Sequence, residues 1–220
     1  MSIKRMVILA KSAKVNNYCI AGIDIKTNEW IRPVSDDPNI QEAVRQEDVI
    51  FSNKTAAEIF DVVDIHFKDE TNENLIQPEN LYYDENYKWK KIGNVTLKEV
   101  ISLHGLDHRK AIFYGYERSM ASEEILNIPP AIRESLLLIP VENMFVNVEY
   151  RDDCPRFYAD FTYKRKIYKK FSIGDIAIRN RFKDFGEGNY FLAQNVLVVF
   201  SLTNPFHYDS RCYKMVAQIF

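Results

Sequence analysis

The chain has 220 residues, 46% of them hydrophobic and 27% charged, with a formal net charge of −2. That length suits one large β domain or two small ones, and only seven glycines leave little material for Gly-rich phosphate loops. Three widely spaced cysteines, Cys19, Cys154 and Cys212, imply neither a disulfide framework nor a zinc knuckle, and the longest N-terminal apolar run, Met6 to Ala10, is too short for a signal-peptide core or a membrane span.

The cytoplasm is therefore the expected compartment, with no membrane partner. Met6 to Ala10 reads as a buried strand, Lys11 to Asn17 as a polar loop and Tyr18 to Ile25 as a second strand. Lys26 to Glu29 has the character of a turn, and Trp30 to Val34 runs back. Pro33 cannot donate to a ladder, so this return strand is expected to be an edge or to end there. Residues 36 to 58 are acidic and mixed, with a short helix expected over Asn39 to Asp48. Ile59 to Phe67 reads as a strand with interleaved acids, and Asp69 to Asn74 as a solvated turn. Gln77-Pro-Glu-Asn80 precedes two aromatic-rich stretches, Leu81 to Tyr83 and Tyr87 to Trp89.

Thr96 to Leu106 reads as a helix, with Thr96 and Glu99 spaced for a capping box. Residues 107 to 139 read as the most helical portion, broken by Pro129-Pro130. β patterning resumes at Val141. The candidate strands are Phe145 to Tyr150, Phe157 to Tyr163, Ile167 to Ile173, Ile176 to Arg181, Asn189 to Ser201 and Tyr213 to Phe220. The expected fold class is β-rich (α+β): one small β-barrel over residues 1–95, a helical segment over 96–140 and a second barrel over 141–220.

Six landmarks stand together in order and spacing: Ile8-Leu-Ala-Lys-Ser-Ala-Lys14, Cys19-x-Ala-Gly-Ile-Asp24, Glu29-Trp-Ile-Arg-Pro-Val-Ser35, Asp61-Val-Val-Asp-Ile65, Gln77-Pro-Glu-Asn80 and Tyr213-Lys-Met-Val-Ala217. They resemble the bacterial family called the dual OB-containing domain, a domain of no established activity. The resemblance spans nearly the whole chain and is strongest where Trp-Ile-Arg-Pro-Val-Ser is followed by Gln-Pro-Glu-Asn. It implies that both barrels are OB-like. OB-folds often bind single-stranded nucleic acid.

Several residues are candidates for ligand contact, and each has a plainer structural reading. Lys11, Ser12 and Lys14 suit a phosphate, or are simply solvated. Trp30 and Arg32 share one face of the return strand and offer a stacking plane and a guanidinium fork. Alternatively, Arg32 pairs across strands with Asp24. Gln77, Glu79 and Asn80 can read a base edge or cap a turn. Trp30, Arg32 and part of this tetrapeptide are expected to line one concave surface. Cys19 shares a face with Ala21, Ile23 and Ile25 and reads as a buried thiol.

From Arg151 to Lys183 ten Lys/Arg face four acids, 10 − 4 = +6, on a chain of net −2. Within that segment Lys164, Arg165, Lys166, Tyr168, Lys169 and Lys170 make a basic hairpin with interleaved aromatics, the composition single-strand binding requires, or a charged tip that guards a sheet edge. His104 and His108 are the only close histidine pair, without a third ligand nearby, and no catalytic motif, metal site or cofactor is implied. The leading expectation is a non-enzymatic module whose partner is single-stranded nucleic acid or a nucleotide-like ligand. The alternatives are an enzyme acting on a nucleotide or modified base through Asp24, Arg32 and Glu79 in a cleft between barrels, and a protein–protein adaptor.

Overall fold

The protein is described by a computed structural model covering residues 2–14 and 16–220. It divides into two compact units. One holds the residues up to Asn74 together with Glu79–Gly105, and the other holds Leu75–Pro78 together with Leu106–Phe220.

The first unit is a sheet of six strands: β1 (Ser2–Lys14), β2 (Asn17–Asp24), β3 (Trp30–Val34), β4 (Asp61–Phe67), β5 (Asn80–Tyr82) and β6 (Lys90–Asn94), in the order β5-β3-β2-β1-β4-β6. Strand β5 lies parallel to β3. It also reaches β4 through the Phe67–Tyr83 bridge, where Lys68 N donates to Tyr82 O at 2.9 Å and Asp84 N donates to His66 O at 2.8 Å. The sheet thus closes on itself. Met6, Ile8, Ile20, Ile31, Val63, Ile65 and Phe67 fill the interior with Tyr83 and Trp89.

The stretch from Lys11 read as a loop is instead a hairpin arm, because Lys11 to Lys14 pair with Ile20 to Asn17. The reversal uses Asn16 at φ 58, a conformation asparagine tolerates. The helix expected over Asn39 to Asp48 reduces to one 3-10 turn, Pro38–Ile40. It stops because Gln41 and Glu42 both turn to positive φ, 52 and 64. Pro33 is not on an edge: it lies past the β2–β3 pairs and within the β3–β5 pair. There the bonds toward the β5 segment come from Arg32 N, to Glu79 O, and from Tyr83 N to Val34 O, so the missing proline donor is not needed. Helix α1 (Leu97–His104) carries the capping box, with Thr96 N donating to Glu99 Oε2 at 2.7 Å and Glu99 N to Thr96 Oγ1 at 3.3 Å.

The second unit contains β7 (Ser119–Ala121), α2 (Ser122–Leu126), β8 (Leu136–Arg151), β9 (Cys154–Tyr163), β10 (Lys166–Ile173), α3 (Ile176–Phe182), β11 (Gly188–Leu202) and β12 (Arg211–Ile219). Strands β8, β9 and β10 form a meander, β11 pairs with both β8 and β12, and β10 meets β12 in parallel to close the ring. In each unit, then, the first strand also holds the fourth and the third meets the fifth in parallel. This is the five-stranded Greek-key barrel of the OB-fold. The second interior is built from Val146, Val148, Phe157, Ala159, Phe161, Phe171, Val198 and Phe200, among others.

Two expectations are corrected here. Ile176 to Arg181 is helix α3 rather than a strand, because Asp175 caps it and its carboxylate accepts from Ile178 N at 3.0 Å. Residues 107 to 139 are largely non-helical: α2 and one turn at Pro130–Ile132 are the helices there, and β8 begins at Leu136. Ser119 to Ala121 are drawn into pairing with β12, and Ile112, Phe113 and Ile125 are drawn into the core. Tertiary packing has overridden local propensity. No described helix is long and apolar enough to cross a membrane.

Gly22 marks the tightest approach in the first barrel. A Cβ there would lie 1.9 Å from Val7 O, and a carbonyl fixed in a ladder cannot yield cheaply. Gly22→Ala is expected to lower stability by about 2–3 kcal/mol, the upper range of overpacking costs. Denaturant unfolding checks this, and a change below about 0.5 kcal/mol would refute the close contact.

Candidate nucleic-acid interface

The two strongest sequence landmarks meet in the first barrel, as the two strands of its closing seam. Arg32 is opposite Asn80 in the parallel β3–β5 pair. Arg32 N donates to Glu79 O at 2.9 Å, and Arg32 Nη1 donates to Asn80 Oδ1 at 3.1 Å. Arg32 and Asn80 are buried, at 6% and 3% exposure. Burial pulls the Arg32 guanidinium down from its ordinary value, opposed by the charges of Glu79, Cys19 and Glu42. Arg32 is therefore committed to the seam rather than presented to solvent. Trp30 sits edge-on to His104, with ring centroids 5.5 Å apart. Helix α1 ends at His104 and Gly105 turns to φ 82, so His104 and His108 do not share a helix face.

Asp24 is not brought to this cluster. Ile23 pairs with Trp30, so Arg32 shares the face of Ile23 and Asp24 points to the opposite one. There Asp24 accepts from Lys4 Nζ at 3.3 Å and from Lys26 N at 2.9 Å. The cross-strand pair with Arg32 is thereby replaced, and the Asp24, Arg32 and Glu79 set does not converge. Lys11 is buried at 9% exposure, donating to Ala57 O at 2.6 Å and to Glu58 Oε1 at 3.1 Å. Ser12 and Lys14 are half-buried on β1. Gln77 belongs to the second unit, where its amide donates to Leu202 O at 2.7 Å. Cys19 is half-buried, and burial pushes its thiol up from the ordinary value.

In the second barrel the basic hairpin is open to solvent. Lys164 and Arg165 form the β9–β10 turn with φ 49 and 65, and Lys164, Arg165, Lys166, Lys169 and Lys170 are all exposed. Two consecutive lysines can face outward because β10 carries a bulge: Tyr168 pairs with Phe161 and Phe171 with Ala159, leaving one extra residue between them. Lys170, at φ 58, donates its backbone N–H to Asp160 Oδ1 at 2.8 Å, which pins the bulge. Its ammonium pairs with Glu149 at 2.7 Å, while Lys166 Nζ stands 3.4 Å from the centroid of Tyr116.

Tyr168 departs from expectation. It is buried at 2% exposure and stacked on Phe161 at 5.2 Å, so its ring belongs to the core rather than to the surface. Rings of the second unit that reach solvent include Tyr116, Phe206 and Tyr208, the last at 76% exposure, besides Tyr150 on β8 and Phe191 on β11. Phe206 and Tyr208 lie on the β11–β12 loop, and sequence reading passed over them. The local signal was Asn204-Pro-Phe-His-Tyr208, aromatics set in a proline-started loop.

A model of the family described as the dual OB-containing domain matches residues 4–219, and the chain belongs to that family. Among curated proteins and among solved structures, none matches the chain.

Beneath these surfaces Lys214 points inward from β12. It is 1% exposed, and Nζ donates to Gly115 O at 2.6 Å. Burial pushes its pKa down to about 8 from 10.5, against the charge of Glu117. The unfolded chain holds this proton more tightly than the folded one, so stability rises with pH between those two values. The rise is roughly 3 kcal/mol and should vanish in Lys214→Met. Unfolding of both proteins at several pH values from about 7 to 11 checks it, and parallel pH profiles would disprove the burial cost.

Proposed function

We propose that this member of the dual OB-containing domain family is a non-enzymatic binding module. Its second barrel holds single-stranded nucleic acid along the outer surface of β9 and β10. These are the second and third strands of an OB barrel, the face on which such folds take oligonucleotides. The observation that carries the reading is the solvent exposure of all five hairpin cations, Lys169 and Lys170 on this face and Lys164, Arg165 and Lys166 at the turn that bounds it. Cations track phosphates, and exposed rings at Tyr116, Phe206 and Tyr208 offer planes for bases. Half-buried Tyr158, with Lys170 Nζ 5.9 Å from its centroid, adds a fourth plane on β9 itself. The equivalent face of the first barrel carries Ala21, Ile23, Arg32 and Val34, all buried, with Cys19 and Trp30 half-buried, which concentrates the proposal on the second.

Affinity should fall linearly with salt on a log–log scale, with each phosphate-neutralising cation adding roughly one unit of slope. The double variant Lys164→Ala/Lys166→Ala is expected to flatten that slope by about two units. Fluorescence anisotropy with labelled single-stranded DNA and RNA at several salt concentrations measures it. Absence of wild-type binding at low salt would sink the nucleic-acid reading in favour of the adaptor. Binding with an unchanged slope would move the footprint off the hairpin.

A further inference from the structure

A cavity of about 360 Å³ opens at the other end of β9, lined by Arg151, Arg156, Phe157, Tyr158, Ser172 and Arg179 with two neighbours. Three arginines line it from three elements: the end of β8, the start of β9 and helix α3. The side chains of Arg156 and Arg179 make no hydrogen bond or ion pair among the described residues. Arg179 lies over the Phe157 ring, 5.8 Å from its centroid. Among the described residues the ion-pair partner of Arg151 is Asp152, at 3.9 Å, with both groups largely in solvent. Glu149, opposite Arg156 in the β8–β9 register, is already engaged by Lys170. Uncompensated charge thus lines a concave wall that also carries a hydroxyl, Ser172, and a tyrosine ring.

We propose that this cavity is a subsite for a phosphomonoester. A monoester carries about −1.5 to −2 charge near neutral pH and three free oxygens, where a backbone diester carries one charge. Guanidinium forks match those oxygens two at a time. The volume falls in the lower range of small-molecule sites, roughly 300–1,000 Å³. The subsite lies roughly 25 Å along β9 from the lysine turn, at about 3.3 Å per residue. A strand laid on the basic face would therefore run from the lysines toward the arginines and end there. The phosphomonoester has two sources: the terminal phosphate of a single strand or a free mononucleotide. The first rests on the binding face proposed above, and the second does not.

The test compares one oligonucleotide carrying a 5′-phosphate, a 3′-phosphate or hydroxyls at both ends. Anisotropy is read for wild type, Arg156→Ala/Arg179→Ala and Arg156→Ala alone. In parallel, AMP and inorganic phosphate are titrated by calorimetry, with thermal melts to establish that the variants fold. The expected result is about a tenfold preference for one phosphorylated end, the equivalent of one charge-assisted contact, abolished in the double variant. Equal affinity for all three strands overturns the subsite and leaves the binding face standing. No oligonucleotide binding, but AMP binding lost in the variants, keeps the subsite for free nucleotides and ends the single-strand reading. Silence in both arms overturns both.

Discussion

Each barrel is held shut by a short parallel pairing between its third and fifth strands, and each seam is tied by one buried charged side chain. In the first barrel that residue is Arg32, bonded to Asn80 across the seam. In the second it is Asp175, 1% exposed, at the end of β10. Its carboxylate accepts from Ile178 N to start α3, and from Ile219 N and Gln218 Nε2 on β12. A buried charge is tolerated only where hydrogen bonds replace the water it has lost. The geometry that replaces it here is the closed seam itself. Opening the first seam takes the Asn80 bond from a buried guanidinium, and opening the second takes the Gln218 and Ile219 bonds from a buried carboxylate, so closure and charge satisfaction are coupled.

Similar connectivity has given the two barrels opposite surfaces. On strands two and three of the first, the outward side chains are small, apolar or locked in the seam, and they are buried or, at Cys19 and Trp30, half-buried. On the second they include lysines, Arg156, Asp160, a tyrosine, two hydroxyls and the exposed Ile167. The difference follows from residue type at outward positions, since both interiors are ordinary apolar cores. The bulge in β10 sharpens it. In an unbroken ladder Lys169 and Lys170 would face opposite ways, one of them into the aromatic interior. The extra residue lets both reach solvent at the cost of one left-handed conformation, offset by the Asp160 carboxylate.

The fold was legible wherever the period of two was clean. Phe157, Ala159, Phe161 and Tyr163 alternate with polar neighbours, and β9 stands where they indicate. The capping box of Thr96 and Glu99 marked the start of α1 for the same reason: its signal is local. What failed was nonlocal. Nothing around Ser119 to Ala121 tells that β12 will recruit it, and Lys11 to Lys14 look like a loop until the hairpin partner is known. At the candidate site, Arg32 looked like a ligand fork because a buried arginine and an exposed one have identical sequence signatures. Tyr168 was read as surface because flanking lysines suggest solvent, yet the strand period sends it inward. In sequence Arg156 and Arg179 register only as charge, since they are brought together by a helix that the sequence pattern presents as a strand.

The seams also set the order in which the chain can acquire its structure. Arg32 and Asn80 are 48 residues apart, and the partners of Ser172 and Ile173 lie in the last strand of the second barrel. Meanders and hairpins such as β8–β9–β10 form from near neighbours, whereas parallel closure must first overcome the entropy of a long loop. Until that closure is made, the third strand of each barrel has a bare edge. Such an edge is a template for pairing with other chains. Refolding yield is therefore expected to fall as protein concentration rises. A chain shortened within β12 would leave the edge of β10 bare and open to pairing with its neighbours.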